Sequence, residues 1–280
     1  MSDNTISIII PTYNRCKTLK KVISSYLKQF YVKEIIIVND GSADETKMFI
    51  KDLSKREKKV IGINHEFNRG VIAARITGVN NATGEFVLIG EDDVELGSDY
   101  TQTLLVNMQL SGADIIAGRL MPWMDSRSTE NNNKRPFIFY WAMVFDYSKK
   151  LKHNVEIPFI HAIAMARRKI YIKYYSIFGS FEGSVQREDV DMQIKMGQNG
   201  ERIVFCPYTT CYHLGGKDKD GGHWDKGPIR HSLEFIKWNN IFINQHYKYL
   251  LKHGLKGNKI TFQILHILNS IRMVARYYLA

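Results

Sequence analysis

"IPTYNRCKTLKKVISSYLKQ", residues 10–29, starts at the end of an apolar run, crosses a proline and a polar Thr-Tyr-Asn-Arg turn, and settles into helical spacing. The run that feeds it, Ile6 to Ile10, is β-branched with little alternation, as in a strand buried on both faces. Pro11 is expected to break that strand, because proline has no N–H to donate. A buried strand that ends on polar groups and turns at once into a helix is one βα unit.

The unit repeats. Glu34 to Val38, Val60 to Asn64 and Glu85 to Gly90 are further short apolar runs, and helical patterns lie near 17–28, 43–57 and 69–81. This rhythm predicts an α/β chain with a Rossmann-like, doubly wound, mainly parallel sheet. Ligands of such sheets bind beyond the carboxyl ends of the strands, where the Thr-Tyr-Asn turn falls.

The rhythm weakens after Gly97. A helix near 99–110 and a strand at Ile115 to Ala117 precede the polar stretch "MPWMDSRSTENNNKRP", which reads as an exposed loop. Helical patterns near 167–175 and 189–199, a strand at 202–206, the glycine-rich loop "GGKDKDGGHWDKG" and a long helical pattern over 229–251 follow. The last segment has apolar residues at 260, 264, 267, 268, 271, 274, 275 and 278, one face of a helix too interrupted by polar residues to span a bilayer. We expect a main domain over 1–228, divided into halves 1–97 and 98–228, and a helical extension over 229–280.

Lys and Arg (39) outnumber Asp and Glu (28) in the 280 residues, a net charge of +11 that favours anionic partners. Nucleic acid is not expected among them, since no reading helix, stacking motif or concentrated basic arm is present. Cys16, Cys206 and Cys211 lack paired metal-ligand spacing and fit a reducing compartment. With no leader pattern at the N-terminus, a cytoplasmic location is expected.

Two strand ends carry the chemistry. "IIIVNDGSADET" leaves Asp40 just past the second strand, able to accept hydrogen bonds from a base or ribose. The competing role is a turn and helix cap made by Asp40, Ser42 or Asp44. "FVLIGEDDVEL" puts Glu91, Asp92 and Asp93 together after the fourth strand. Adjacent carboxylates repel one another, so their clustering predicts a divalent cation, Mn²⁺ or Mg²⁺, with a solvated acidic turn as the alternative.

"SIIIPTYNR", "VNDGSADET", "NRGVIAARITGVNNATGEFVLIGEDD" and "REDVDMQIKMGQNGERIVFCPYTTCYHL" occur in this order, and together resemble family 2 glycosyltransferases with the GT-A fold over roughly residues 5–215. The resemblance implies that Pro11, Thr12 and Tyr13 line a nucleotide pocket, Asp40 contacts uracil or ribose, and Asn68 and Arg69 lie near the base. Asp92 would touch the ribose and Asp93 would hold the metal that bridges the diphosphate. Glu91 stands where the family's Asp-x-Asp begins, one methylene longer but with the same charge and ligand atoms.

The same resemblance makes Asp189, in the Glu188-Asp189 pair, the general base; carboxylates at a helix start are also favoured by the backbone dipole alone. It brings His213 toward the metal or diphosphate, the other reading being an ordinary surface or core histidine. Arg187 and the Lys217 to His223 loop are weaker candidates for phosphate contact.

The implied reaction is inverting transfer of a sugar from a nucleotide-sugar, favoured as UDP-linked, to a hydroxyl of a glycan or lipid-linked glycan. Alternatives are a catalytically silent nucleotide-sugar-binding protein and a sugar-1-phosphate nucleotidyltransferase, though the latter's glycine-rich loop is missing from "PTYNRCKTL". The C-terminal helix is open to two uses, contact with the inner membrane surface or packing on its own domain or a partner. Oligomeric state is left open.

Overall fold

Side chains of the first strands alternate between two apolar layers, and helices cover both. In the computed structural model, which describes residues 4–122, 137–141, 143–178, 188–214 and 228–279, β1 (Ile6–Thr12), β2 (Val32–Asn39), β3 (Val60–Asn64) and β4 (Phe86–Ile89) run parallel in the order β3-β2-β1-β4. Ile8, Ile10, Ile35, Ile37 and Leu88 enter one layer with α1 (Cys16–Leu27), α2 (Thr46–Arg56) and α4 (Tyr100–Ser111). Ile9, Ile36, Val38, Val87 and Ile89 enter the other, with α3 (Val71–Asn81) and α5 (Arg168–Phe178). Two-sided burial explains the unbroken β-branched runs.

Beyond β4 the sheet continues through β10 (Met165–Arg167), β6 (Ile115–Pro122), β11 (Ile203–His213) and β5 (Val94–Leu96). β10 runs antiparallel to both its neighbours, β6 and β11 are parallel, and β5 pairs antiparallel with β11. β9 (Val155–Glu156) also pairs with β11, while β7 (Ile138–Phe139) and β8 (Val144–Phe145) form a separate hairpin. α6 (Glu188–Gln198), α7 (Pro228–Lys252) and α8 (Lys259–Leu279) complete the second layer through Met192, Ile194, Phe242, Ile243, Leu250 and Phe262. The extension therefore shares the core of the sheet.

Three expectations change. Pro11 does not break β1, which continues through it to Thr12 opposite Val38 and Asn39. The Ile9 carbonyl accepts from Gly90 N–H on the β4 side and the Thr12 carbonyl from Asp40 N–H on the β2 side, so Pro11 faces where β4 has already ended. Its missing N–H has no ladder partner to lose. β6 runs on to Pro122, so Met121 and Pro122 belong to a strand; the rest of the expected loop, 123–136, lies outside the described residues, as do Arg187 and the 215–227 loop. On α8, it is Phe262, His266 and Ser270 that are buried, while Ile260, Ile264, Ile267, Leu268 and Ile271 are exposed.

His161 is buried with Nε2 2.8 Å from the Gly118 carbonyl, and burial lowers its pKa to about 4 against the opposing pull of that bond. A folded-state pKa below the unfolded one means that the unfolded chain takes up the proton first as pH falls. Stability is expected to drop by about 2 kcal/mol between pH 7 and pH 5 on this account. Urea titrations at the two pH values should show the drop, and His161→Gln should remove it.

Candidate active site

The carboxyl ends of β1 and β2 are stitched together by the polar turns that follow them. Asn14 N–H donates to Ser42 Oγ at 2.9 Å, Ala43 N–H to Asn14 Oδ1 at 2.8 Å, and Cys16 N–H to Asp44 Oδ2 at 3.1 Å. Asn14 sits in the left-handed region at φ 53°, which a short amide side chain tolerates. Asp44 also accepts Thr46 N–H at 3.0 Å, an Asx-type turn that leads into α2, whose N-cap is Glu45. Thr12 is buried and Tyr13 is exposed at the rim.

Asp40 is buried and accepts from Arg69 N–H at 2.9 Å and Gly70 N–H at 2.8 Å, with His65 Nδ1 at 2.7 Å. His65 is itself held by Thr77 Oγ1 at 2.9 Å from Nε2. The carboxylate thus ties the loop before α3 to the end of β2, and Asn68 and Arg69 lie exposed on that loop beside it. Gly41 is required here: at φ +72° its Cβ would lie 2.4 Å from the Phe67 carbonyl carbon.

The acidic triplet follows β4 and is fixed from below by Tyr26 of α1. Its hydroxyl donates to the Glu91 carbonyl at 2.9 Å and lies 3.1 Å from Glu91 N–H, which donates to it. Gly90 permits this approach, since a Cβ there would come within 2.9 Å of the Tyr26 ring. β5 then pairs Val94 with His213 of β11. As a result Glu91, Asp93 and His213 offer ligand atoms within 4.8 Å of one another, and His213 Nε2 is 3.5 Å from Asp93 Oδ2.

Two carboxylates and one imidazole converging in this way suit a divalent cation of the Mn²⁺ or Mg²⁺ kind. Electrostatics point the same way. Burial and the charge of Asp93 raise the Glu91 pKa, with Arg75 opposing, although the side chain keeps 26% of its surface exposed at one edge. Burial raises Asp92 to about 6 against the pull of Arg15. A cation would relieve the repulsion that the positive side chains leave uncancelled.

Those side chains come from two elements. Arg15 Nη1, at the start of α1, reaches Asp93 Oδ2 at 2.8 Å and Asp92 Oδ1 at 3.1 Å. Arg75 is buried in α3, with Nη2 3.4 Å from Glu91 Oε1 and Nη1 3.1 Å from Glu188 Oε1. It thereby joins the acidic triplet to the first turn of α6, which carries Glu188 and Asp189. Burial and the neighbouring Asp189 raise the Glu188 pKa, again with Arg75 opposing.

Every described member of the expected site therefore lies at the carboxyl ends of β1, β2 and β4 or on the segments folded against them. Arg15, Tyr26, His65 and Arg75 were not among the expected site residues. Arg75 had a signal: it shares the apolar stripe of α3 with Ile72, Gly78 and Val79, where an arginine needs an internal counter-charge. Tyr26 and His65 had none, because their roles depend on which loop ends up beside them.

The Glycosyl transferase family 2 model matches residues 7–175. Glycosyltransferase GlyA of Streptococcus pneumoniae serotype 4 is 33% identical over 157 residues, covering 55% of this chain and 21% of that protein. The Escherichia coli UDP-Glc:alpha-D-GlcNAc-diphosphoundecaprenol beta-1,3-glucosyltransferase WfgD is 34% identical over 155 residues, 55% of this chain and 57% of WfgD. The chain thus spans about a fifth of one relative and a little over half of the other. A mannosyltransferase from Pyrobaculum calidifontis, solved with GDP-Man and Mn²⁺, superimposes with a TM-score of 0.63 over 98% of this chain and 75% of its own at 17% identity. The shared architecture is the GT-A fold.

Proposed function

We propose, from the premise that the chain belongs to glycosyl transferase family 2, that it moves a sugar from a nucleotide-sugar to a hydroxyl of a glycan or lipid-linked glycan, with inversion at the anomeric carbon. The observation that carries this reading is the Arg75 link, which sets a cluster suited to a divalent cation beside a helix start bearing Asp189. Donor activation and acceptor deprotonation need those two features side by side. A UDP-linked donor and a lipid-linked acceptor are favoured because the relative WfgD is a UDP-Glc:alpha-D-GlcNAc-diphosphoundecaprenol glucosyltransferase.

Residues 1–97 form the donor half in this reading, 98–228 the acceptor half, and 229–280 the helical extension. Pro11, Thr12, Tyr13, Asp40, Asn68 and Arg69 surround the nucleoside, and Asp92 faces its ribose. Asp189 takes the proton from the acceptor hydroxyl as that oxygen bonds to the anomeric carbon, and the bond from that carbon to the diphosphate oxygen breaks with its electron pair. Glu91, Asp93 and His213 would hold the divalent cation, whose positive charge favours the departing diphosphate. Arg15 adds positive charge at the same edge, and Glu188, held by Arg75, keeps the first turn of α6 in place.

The test is nucleoside diphosphate release from UDP-, GDP- and dTDP-sugars with Mn²⁺, Mg²⁺ or EDTA and a panel of glycan and lipid-linked acceptors. Release from one donor that stops with EDTA is the expected result. Donor binding without release across all acceptors would leave a silent nucleotide-sugar binder. A separate readout isolates the cation site: Mn²⁺ should raise the melting temperature, since a ligand at about 100 times its Kd contributes about 2.7 kcal/mol. Asp93→Asn should abolish that rise, and an undiminished rise in the variant would remove Asp93 from the site.

A further inference from the structure

α8 has two apolar faces, and only one has a place in the fold. Phe262 and His266 pack on α7, with ring centroids 6.4 Å from Phe242 to Phe262 and 5.6 Å from Phe235 to His266. On the opposite side Ile260, Ile264, Ile267, Leu268 and Ile271 recur at helical spacing and stay 64%, 51%, 39%, 57% and 60% exposed. Five large aliphatic side chains form a continuous exposed stripe, the kind of surface that marks an interaction site. α8 is not long and apolar enough to cross a bilayer, nor is any other described helix.

Charge identifies the occupant. Between residues 235 and 280 the sequence has seven Lys or Arg and no Asp or Glu. Arg272 is exposed on α8 and Lys252 and Lys256 on the segment that leads into it, while the half-buried Lys259 holds its ammonium 5.5 Å from the Tyr247 ring of α7. Two copies of this chain meeting through the stripe would bring together two C-terminal segments of the same positive charge, with no carboxylate from these segments between them. An anionic bilayer surface accepts both parts, taking the isoleucine stripe at the acyl boundary and the lysines and arginine among the headgroups.

We propose that α8 docks the protein in the plane of an anionic membrane surface through Ile260, Ile264, Ile267, Leu268 and Ile271. This goes beyond the transferase reading and does not depend on it, because vesicle binding is measured without donor or acceptor. The full chain is pelleted with phosphatidylcholine vesicles lacking or containing phosphatidylglycerol, at low and high salt. Binding should need phosphatidylglycerol and weaken with salt. Ile264→Asp/Ile271→Asp should weaken it about tenfold or more while leaving the melting temperature and Mn²⁺ response intact.

Equal pelleting of wild type and the double variant would overturn the proposal. So would a wild-type dimer in light scattering that the variant converts to monomer, which would assign the stripe to a second copy. Lys256→Glu/Arg272→Glu provides an independent check, since it leaves every isoleucine in place and should still lose binding to phosphatidylglycerol vesicles.

Discussion

Asp189→Asn is expected to lower turnover by on the order of 10²–10⁴, the usual contribution of a positioned general base, while leaving donor affinity unchanged. The amide keeps the size of the side chain and cannot take a proton from the acceptor hydroxyl. Fold stability should change little, because one negative charge at a helix N-terminus contributes only about 0.3–1 kcal/mol. Steady-state release of nucleoside diphosphate, with donor affinity measured separately by calorimetry, distinguishes the two quantities. The adjacent Glu188 supplies the control, since its pKa is already raised by burial and by Asp189. If Asp189→Asn keeps its turnover and Glu188→Gln loses it, the base is Glu188.

Arg75→Met should produce the largest loss of stability, about 3–5 kcal/mol, because it leaves Glu91 and Glu188 enclosed without their shared counter-charge. The loss should grow with pH. Both carboxyls have raised pKa values in the folded protein, and removing the cation raises them further, so at low pH they stay protonated and tolerate its absence. As pH rises the unfolded chain releases those protons first, and the variant weakens. Denaturant titrations at several pH values read this directly. Adding Glu188→Gln to Arg75→Met should recover part of the loss, whereas strict additivity would show that the pair is not coupled. Arg75→Lys should rescue poorly, since one ammonium cannot span both carboxylates as a planar guanidinium does.

Most of the first half was legible because its signals are local. Four apolar runs and the helical spacings between them predict β1 to β4 and α1 to α3 within a few residues, and the acidic triplet and Asp40 stand out because polar groups follow buried strands. Local signals stop where pairing is decided by distant chain. β5 has three residues and β10 has three, too few for periodicity, and each exists because neighbouring strands present backbone groups to it. The stripe on α8 shows the same limit: its spacing predicted an apolar face, and only the packing of Phe262 and His266 showed that this face is not the one the core uses. Arg15 ends the quoted polar turn, yet its pairing with Asp92 and Asp93 could not be read from a segment so far from them along the chain.

The antiparallel pairing of β5 with β11 bears on how the molecule is made. Asp93 leaves the ribosome early, in the segment that follows β4, and His213 arrives only with the end of the last strand of the sheet. Until β11 inserts between β6 and β5, the nascent chain carries Glu91 and Asp93 without His213 beside them. Joining segments so distant in sequence is a slow step, because loop closure must precede the contacts that reward it. If Glu91, Asp93 and His213 hold a cation, as proposed above, a growing polypeptide completes that site only once residue 213 has emerged and paired with β5.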